Sequence, residues 1–382
     1  MGAPGAGAPR WRTIMVTARK RRGFVTILKW TAITLLGLVV VLSATAFFVA
    51  TSQTGMVRVI QLLVNKGEPV NSFAPRGPQA VKRLTSGQRV RTNIRYGESL
   101  PNSFADIWYP AGDGRASHPT IFYLHGGGWA FGDKDSGDPI AASGQASGSM
   151  LARVTGEGFN VVNLDYVQSP EYHFPTPAKQ LNEAIAYFTA HAADYGLDMD
   201  NVIVMGGSGG AHITAQYGLI VTNPSYAAEI GVTPALTPER LKALGVIVAP
   251  LRFSDLPWNP SFMMWSYLGT KDVNGPLARQ ADILAHLGAD YPATYLTDGN
   301  GDDTFPAHAQ EMARRLTDLG VDHDFYFVGR DVALLGHGYT DDMSTPYARE
   351  NFTRMIAFYR SHTGGTTPAD QPQRRPPSSP AD

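Results

Sequence analysis

Along residues 90–328, short runs of apolar and β-branched positions alternate with stretches in which apolar residues return at helical spacing. The short runs read as strands over 90–97, 104–110, 120–126, 159–166, 201–207, 245–250, 293–299 and 322–328. From the third onward several are near-continuously apolar, the pattern of parallel strands covered on both faces. Between them, residues 176–196 and 305–320 carry helical patterns that stop at Gly196 and Gly320. Such alternation predicts an α/β fold with a mostly parallel, doubly wound sheet and helices on both faces. Two further apolar stretches, about 53–85 and 251–291, lie outside the strand pattern and are expected to form a small helical cap. The second holds Trp258, Phe262, Met263, Met264, Trp265, Tyr267 and Leu268.

One segment breaks the pattern. Trp30–Ala50 is 21 residues without a charge, long enough to cross a bilayer as a helix. It follows Arg19, Lys20, Arg21, Arg22 and Lys29. Positive residues stay cytoplasmic, so the expected topology puts the N-terminus inside and the large C-terminal part outside. The rival is a secretory signal cleaved near Ala44-Thr45-Ala46. The length of the apolar stretch favours a retained anchor. The expected organisation is a disordered basic segment over 1–23, a transmembrane signal-anchor over 24–50, one α/β domain over 53–361, and a Pro/Ser/Thr-rich disordered tail over 362–382.

Charge changes the picture only after this division. The whole chain is close to neutral, at −1, but residues 1–29 hold seven bases and no acid. The remaining 25 bases face 33 acids, a net charge of −8, which gives no footprint for nucleic acid. The absence of cysteine removes disulfides, thiolate catalysis and Cys-based zinc sites. No ligand cluster calls for a metal or another cofactor. Residues 298–302, "DGNGD", start like a calcium loop, but Asp303 replaces the glycine and Ala309 the closing glutamate such a loop requires.

The chemistry concentrates in four places. "VMGGSGGAH" (204–212) follows a strand and precedes a helical stretch, so Gly206, Ser208 and Gly210 form a G-x-S-x-G turn. Such a turn holds a serine in a strained conformation at a helix N-terminus, where developing negative charge is favoured. A phosphate loop would need a Lys-Ser/Thr pair after the glycines, and none is present. "HGGGWAFGDK" (125–134) also ends a strand, 83 positions earlier. Its Gly127 and Gly128, with Gly209, can offer backbone N–H groups to an oxyanion. His125 is expected to brace that loop. A serine nucleophile needs a base, and the base an orienting carboxylate. His337, between Gly336 and Gly338 after the last strand, is the best-placed base. Asp302 is the expected acid, from a G-x-x-D-x-x-(F/V)-P pattern at Gly299, Asp302, Phe305 and Pro306; its neighbour Asp303 is the alternative. Trp129 and Trp265 are expected to wall the substrate pocket.

Together these motifs resemble the α/β-hydrolase fold, in the esterase/lipase group with the acetyl-esterase-like and hormone-sensitive-lipase-like enzymes. The order Ser208, Asp302, His337 is similar to that fold's order. "DYVQSPEYHFPTPAKQLNEAIAY" (165–187) resembles a Y-x-x-(S/A)-P-E-x-x-F-P segment of the same group. Gly207 and Gly209 depart from the usual G-D-S-A-G-G elbow, although Gly209 keeps its N–H. The resemblance implies a serine carboxylic-ester hydrolase of small or short-acyl esters, working through an acyl-enzyme without a cofactor. Its partners would be an ester substrate and, through the N-terminal helix, a membrane. Two alternatives are an amidase or formamidase of the same fold and a non-catalytic hydrolase-like binding protein.

Overall fold

The computed structural model describes residues 11–364 except 66, 113–116, 140, 142–146 and 257. It divides into two units, Met1–Met56 and Val57–Asp382. In the first, helix α1 runs from Trp11 to Thr51, and its Phe24–Thr51 part holds an apolar window of mean hydropathy 2.5, none of it buried. Residues 11–23, expected to be disordered, are therefore helical; residues 1–10 lie outside the described residues. No proline occurs between Pro9 and Pro69, so nothing in the backbone stops the helix from extending upstream of the apolar stretch. The tail from 365 onward, most of the segment expected to be disordered, also lies outside the described residues.

The second unit is built on a sheet. In chain order its elements are α2 (Gly55–Val64, whose first two residues precede the unit), β1 (Ala80–Arg83), β2 (Arg89–Arg95), β3 (Phe104–Tyr109), β4 (Pro119–Leu124), α3 (Ser147–Gly156) and β5 (Asn160–Leu164). There follow α4 (Thr176–Ala190), α5 (Ala192–Tyr195), β6 (Asp198–Gly207), α6 (Gly209–Thr222), α7 (Pro224–Ile230) and β7 (Leu241–Ile247). The chain continues through α8 (Trp258–Leu268), α9 (Pro276–Ala281), α10 (Ile283–His286), β8 (Thr294–Thr297), α11 (Pro306–Leu319), β9 (His323–Tyr326) and α12 (Pro346–Thr363).

The described strands form one sheet in the order β1-β2-β3-β5-β4-β6-β7-β8-β9. The pairs from β5 through β9 are parallel, and β1, β2 and β3 add on antiparallel. The central strands are buried on both faces, as their apolar runs require: Val202 to Met205 are fully buried. One face packs on α4, α6, α8 and α11 through residues such as Leu181, Ile213, Tyr267 and Met312. The other packs on α3 and α12 through Leu151, Val154, Met355 and Tyr359. This is the α/β-hydrolase architecture.

The cap expectation needs two corrections. Part of 53–85 is β1, an edge strand of the sheet rather than cap, with three of its four residues exposed. In 251–291, Met264, Tyr267 and Leu268 of α8 belong to the main core. Only α2 and the Phe262–Met263 side of α8 gather over the 125–134 loop, around Val57, Ala130 and Phe131.

Candidate active site

Both segments that carry the chemistry leave the sheet at the C-terminal ends of adjacent strands, β4 and β6. Ligands of open α/β sheets bind at such ends. Ser208 sits between β6 and α6 with φ 54 and ψ −120, a conformation L side chains rarely adopt. The glycines around it are obligatory for contact reasons. A Cβ on Gly206 would run into the backbone of Gly210, and one on Gly210 into the carbonyl oxygens of Leu124 and His125. A Cβ on Gly207 would meet nothing within 4 Å. Gly210→Ala is therefore expected to lower stability by about 3 kcal/mol or more, because backbone must shift, and Gly207→Ala by less than about 0.5 kcal/mol. Urea unfolding of the two variants checks the contrast.

The 125–134 loop is wound by positive φ at Gly127 (105°), Gly128 (58°) and Trp129 (59°). Gly127 O accepts from the N–H groups of Ala130 and Phe131 at 3.1 and 2.9 Å, closing a tight turn. This brings the loop onto the elbow: a Cβ on Gly209 would stand 2.9 Å from Trp129 N and 3.3 Å from Gly128 N. His125 is fully buried beneath the loop, stacked on Tyr166 at 4.4 Å. Its Nδ1 hydrogen-bonds to Gly126 O at 2.7 Å, and burial lowers its pKa, so it is neutral.

His337 is 8% exposed and lines one cleft with Ser208. The cleft is small, about 40 Å³, walled by Tyr123, Met150, Ile247 and Val248, and it contains Asp138 and Asp341. Val248, directly after β7, has φ 52, a rare conformation for a β-branched residue. The carbonyl oxygen of Asp303 accepts from His337 Nδ1 at 3.0 Å. A carbonyl can only accept, so Nδ1 carries the proton and Nε2 is the basic nitrogen. Nε2 lies 3.5 Å from Asp138 Oδ2. Burial works to lower the pKa of His337, but the Asp138 carboxylate and the Asp303 carbonyl outweigh it, and the net shift is upward.

The structure does not bring Asp302 to His337. Its side chain is 88% exposed and pairs with Arg330 at 2.9 Å. The next residue, Asp303, is also exposed, but its carboxylate accepts from the main-chain N–H of His337 at 3.1 Å. Another acid missed in the sequence, Asp298, is fully buried at the end of β8. Burial pushes its pKa up to about 8, and Oδ1 accepts from Phe305 N at 3.1 Å. Asn300 staples the two loops of this corner. It donates to Val328 O and Ala333 O at 2.8 and 2.7 Å and accepts from Leu335 N at 3.0 Å. Only its position in "DGNGDD" pointed to it.

The two tryptophans also need correction. Trp129 is 2% exposed, stacked on Tyr267 at 4.4 Å and edge-on to His212 and Phe253. It is a core residue under the loop, not a pocket wall. Trp265 is absent from the cleft lining; it packs on the main core with Lys271 4.7 Å above its ring.

A model of the BD-FAE family matches residues 105–316, more than half of the chain and the sheet from β3 to β8 but for its first residue. The chain belongs to the BD-FAE family. Among curated relatives of this BD-FAE chain, the probable carboxylic ester hydrolase LipM of Mycobacterium tuberculosis is 26% identical over 249 residues, 63% of this chain and 54% of LipM. An acetyl esterase of Salmonella paratyphi A is 35% identical over 95 residues, 25% of this chain and 27% of that protein. The chain thus spans about half the length of LipM or less of such relatives. Of solved structures, esterase B from Lactobacillus rhamnosis superposes with a TM-score of 0.64 at 17% identity, covering 82% of this chain and 96% of its own. A bacterial heroin esterase gives 0.56 at 19% identity, covering 82% and 93%. Both share the α/β-hydrolase fold seen here.

Proposed function

We propose that this BD-FAE protein is a serine carboxylic-ester hydrolase acting on short-acyl esters. The observation that carries the reading is the shared cleft of Ser208 and His337 beside a glycine loop wound against the elbow. Curated relatives named as ester hydrolases and acetyl esterases support it. In the proposed cycle His337 Nε2 takes the Ser208 hydroxyl proton as Oγ attacks the ester carbonyl. The oxyanion rests on N–H groups of Gly127, Gly128 and Gly209. His337 then protonates the leaving alcohol, and water releases the acyl group through the same base. The Asp303 carbonyl holds the ring in the required tautomer. The cleft offers only about 40 Å³ between its apolar walls, well below ordinary ligand sites, which favours short acyl chains. A fluorophosphonate should label the protein at Ser208, and kcat/KM for acetyl and butyryl nitrophenyl esters should exceed that for dodecanoyl and palmitoyl esters. Failure to label would remove the hydrolase reading; a preference for palmitoyl esters would remove the short-acyl one.

The pH profile tests the electrostatics separately. The base must be neutral, so kcat/KM falls as pH drops through the pKa of His337. That pKa is raised above its ordinary 6.5, which moves the acid limb upward. Removing the Asp138 charge removes the largest upward cause. Asp138→Asn is expected to shift the acid limb to lower pH; an unmoved limb would show that Asp138 does not face the base in solution.

We also propose that α1 anchors the protein in a membrane, with the catalytic unit on the outer side. The apolar 28-residue stretch and the basic run before it support this.

A further inference from the structure

Helix α2 has two unlike faces. One is fixed to the catalytic unit. Val57 is fully buried against Ala130 and Phe131, with Ile60 packed beside it. Gln61, also buried, donates through Nε2 to Ala130 O and to Ser169 O, each at 2.8 Å. The other face is apolar and open. Val59, Leu62, Leu63 and Val64 are 39, 65, 72 and 49% exposed. Positions 59, 62 and 63 stand at i, i+3 and i+4, so they form one stripe along the helix. The neighbouring cation does not interrupt it, since Arg58 reaches to Glu171 at 3.1 Å. A contiguous apolar stripe in water marks an interaction surface.

The chain before α2 says what covers the stripe. The apolar stretch of α1 ends at Thr51 and α2 begins at Gly55, leaving residues 52–54 between them. The four steps from Thr51 to Gly55 reach at most about 14 Å. Resting on the anchor reading above, α2 therefore starts within about 14 Å of the point where the chain leaves the bilayer. That reach includes the headgroup–acyl boundary in which amphipathic helices lie. We propose that α2 is an interfacial helix that seats the catalytic unit on the lipid surface through Val59, Leu62 and Leu63. Its fixed face reaches Ala130, whose N–H is bonded to Gly127 O. The docked helix thus meets the glycine loop through Ala130 and Phe131.

The cysteine-free sequence makes the test clean. The full chain is reconstituted in vesicles of phosphatidylcholine with a minority of phosphatidylglycerol. A polarity-sensitive fluorophore is attached at Leu63→Cys, or at Val81→Cys on the exposed edge strand as a control. Quenching by acyl-brominated lipid should be several-fold stronger at position 63 than at 81, and quenching by aqueous iodide weaker. Leu62→Ser, placed in the labelled Leu63→Cys chain, should reduce the lipid quenching. Equal quenching at the two sites would overturn the proposal. So would shielding at 63 that vanishes on dilution to one copy per vesicle, which would assign the stripe to a second copy of the chain. A carbonate wash tests the anchor by itself. A chain that washes off yet was quenched at 63 keeps the interfacial helix and loses the span; one that resists the wash but is unquenched keeps the span and loses the helix.

Discussion

Ser208→Ala is expected to lower kcat/KM on acetyl esters by ~10⁴-fold or more, with the unfolding midpoint near that of the wild type. The expectation has two physical sources. Chemically, no other hydroxyl on the cleft wall combines the strained elbow with a helix N-terminus; Thr340, the other hydroxyl of an alcohol side chain there, lies beyond His337 in the loop. Structurally, the elbow is held by contacts of Gly206 and Gly210 with neighbouring backbone, not by the serine side chain. Alanine bears the same positive φ at similar cost, so the fold should survive. Because nucleophile and base act as a unit, adding His337→Ala should cost little more than either change alone. A purified Ser208→Ala protein with near-wild-type turnover would refute the assignment of the nucleophile. Residual fluorophosphonate labelling of that variant would point to another serine.

The second large effect concerns the acid. Asp303→Ala is expected to reduce kcat/KM by about 10- to 100-fold, and Asp302→Ala by less than about twofold. A hydrogen bond involving a charged group contributes about 1.5–3 kcal/mol, and each 1.36 kcal/mol is tenfold in rate. Asp303 holds His337 twice, by its carbonyl on Nδ1 and by its carboxylate on the main-chain N–H. Alanine keeps the first bond and loses the second. The ring then keeps its tautomer but loses the brace on its backbone, which is why the loss should fall short of that at Ser208. Asp303→Asn keeps an acceptor without the charge and should fall between. Asp302 lies in solvent with Arg330, and exposed pairs contribute little. If Asp302→Ala is the crippling change, the motif register is right and the turn reverses when substrate is bound.

Much of the fold was legible along the chain. Apolar strands such as Ile121–Leu124 and Val202–Met205 announce themselves because a strand covered on both faces admits few polar residues. Helices α4 and α11 announce their ends because glycine takes the left-handed cap at Gly196, one short helix beyond α4, and at Gly320. Strand β1 did not: four residues, mostly exposed, carry no burial pattern, and only pairing with β2 makes them a strand. The end of β7 was misplaced for a related reason. The run 245–250 stays apolar, but the backbone leaves the sheet at Val248, where φ is 52.

The site divides the same way. The turn at Ser208 and the loop at Gly127 could be read directly, because backbone meeting backbone excludes side chains and leaves glycine as the mark. The sequence by itself also determined the length of the apolar helix and the basic residues before it. Only the tertiary structure decided the rest. Whether Asp302 or Asp303 reaches His337 depends on how the β8 loop lies against the loop carrying His337, which Asn300 staples across 35 positions of chain. Whether Trp129 faces substrate or core depends on Tyr267, Phe253 and His212, which come from α8, the loop after β7 and α6. The carboxylate that raises the pKa of His337 comes from Asp138, far upstream. Side-chain direction in a turn and electrostatic neighbours are set by elements distant in sequence, and local pattern carries no trace of them.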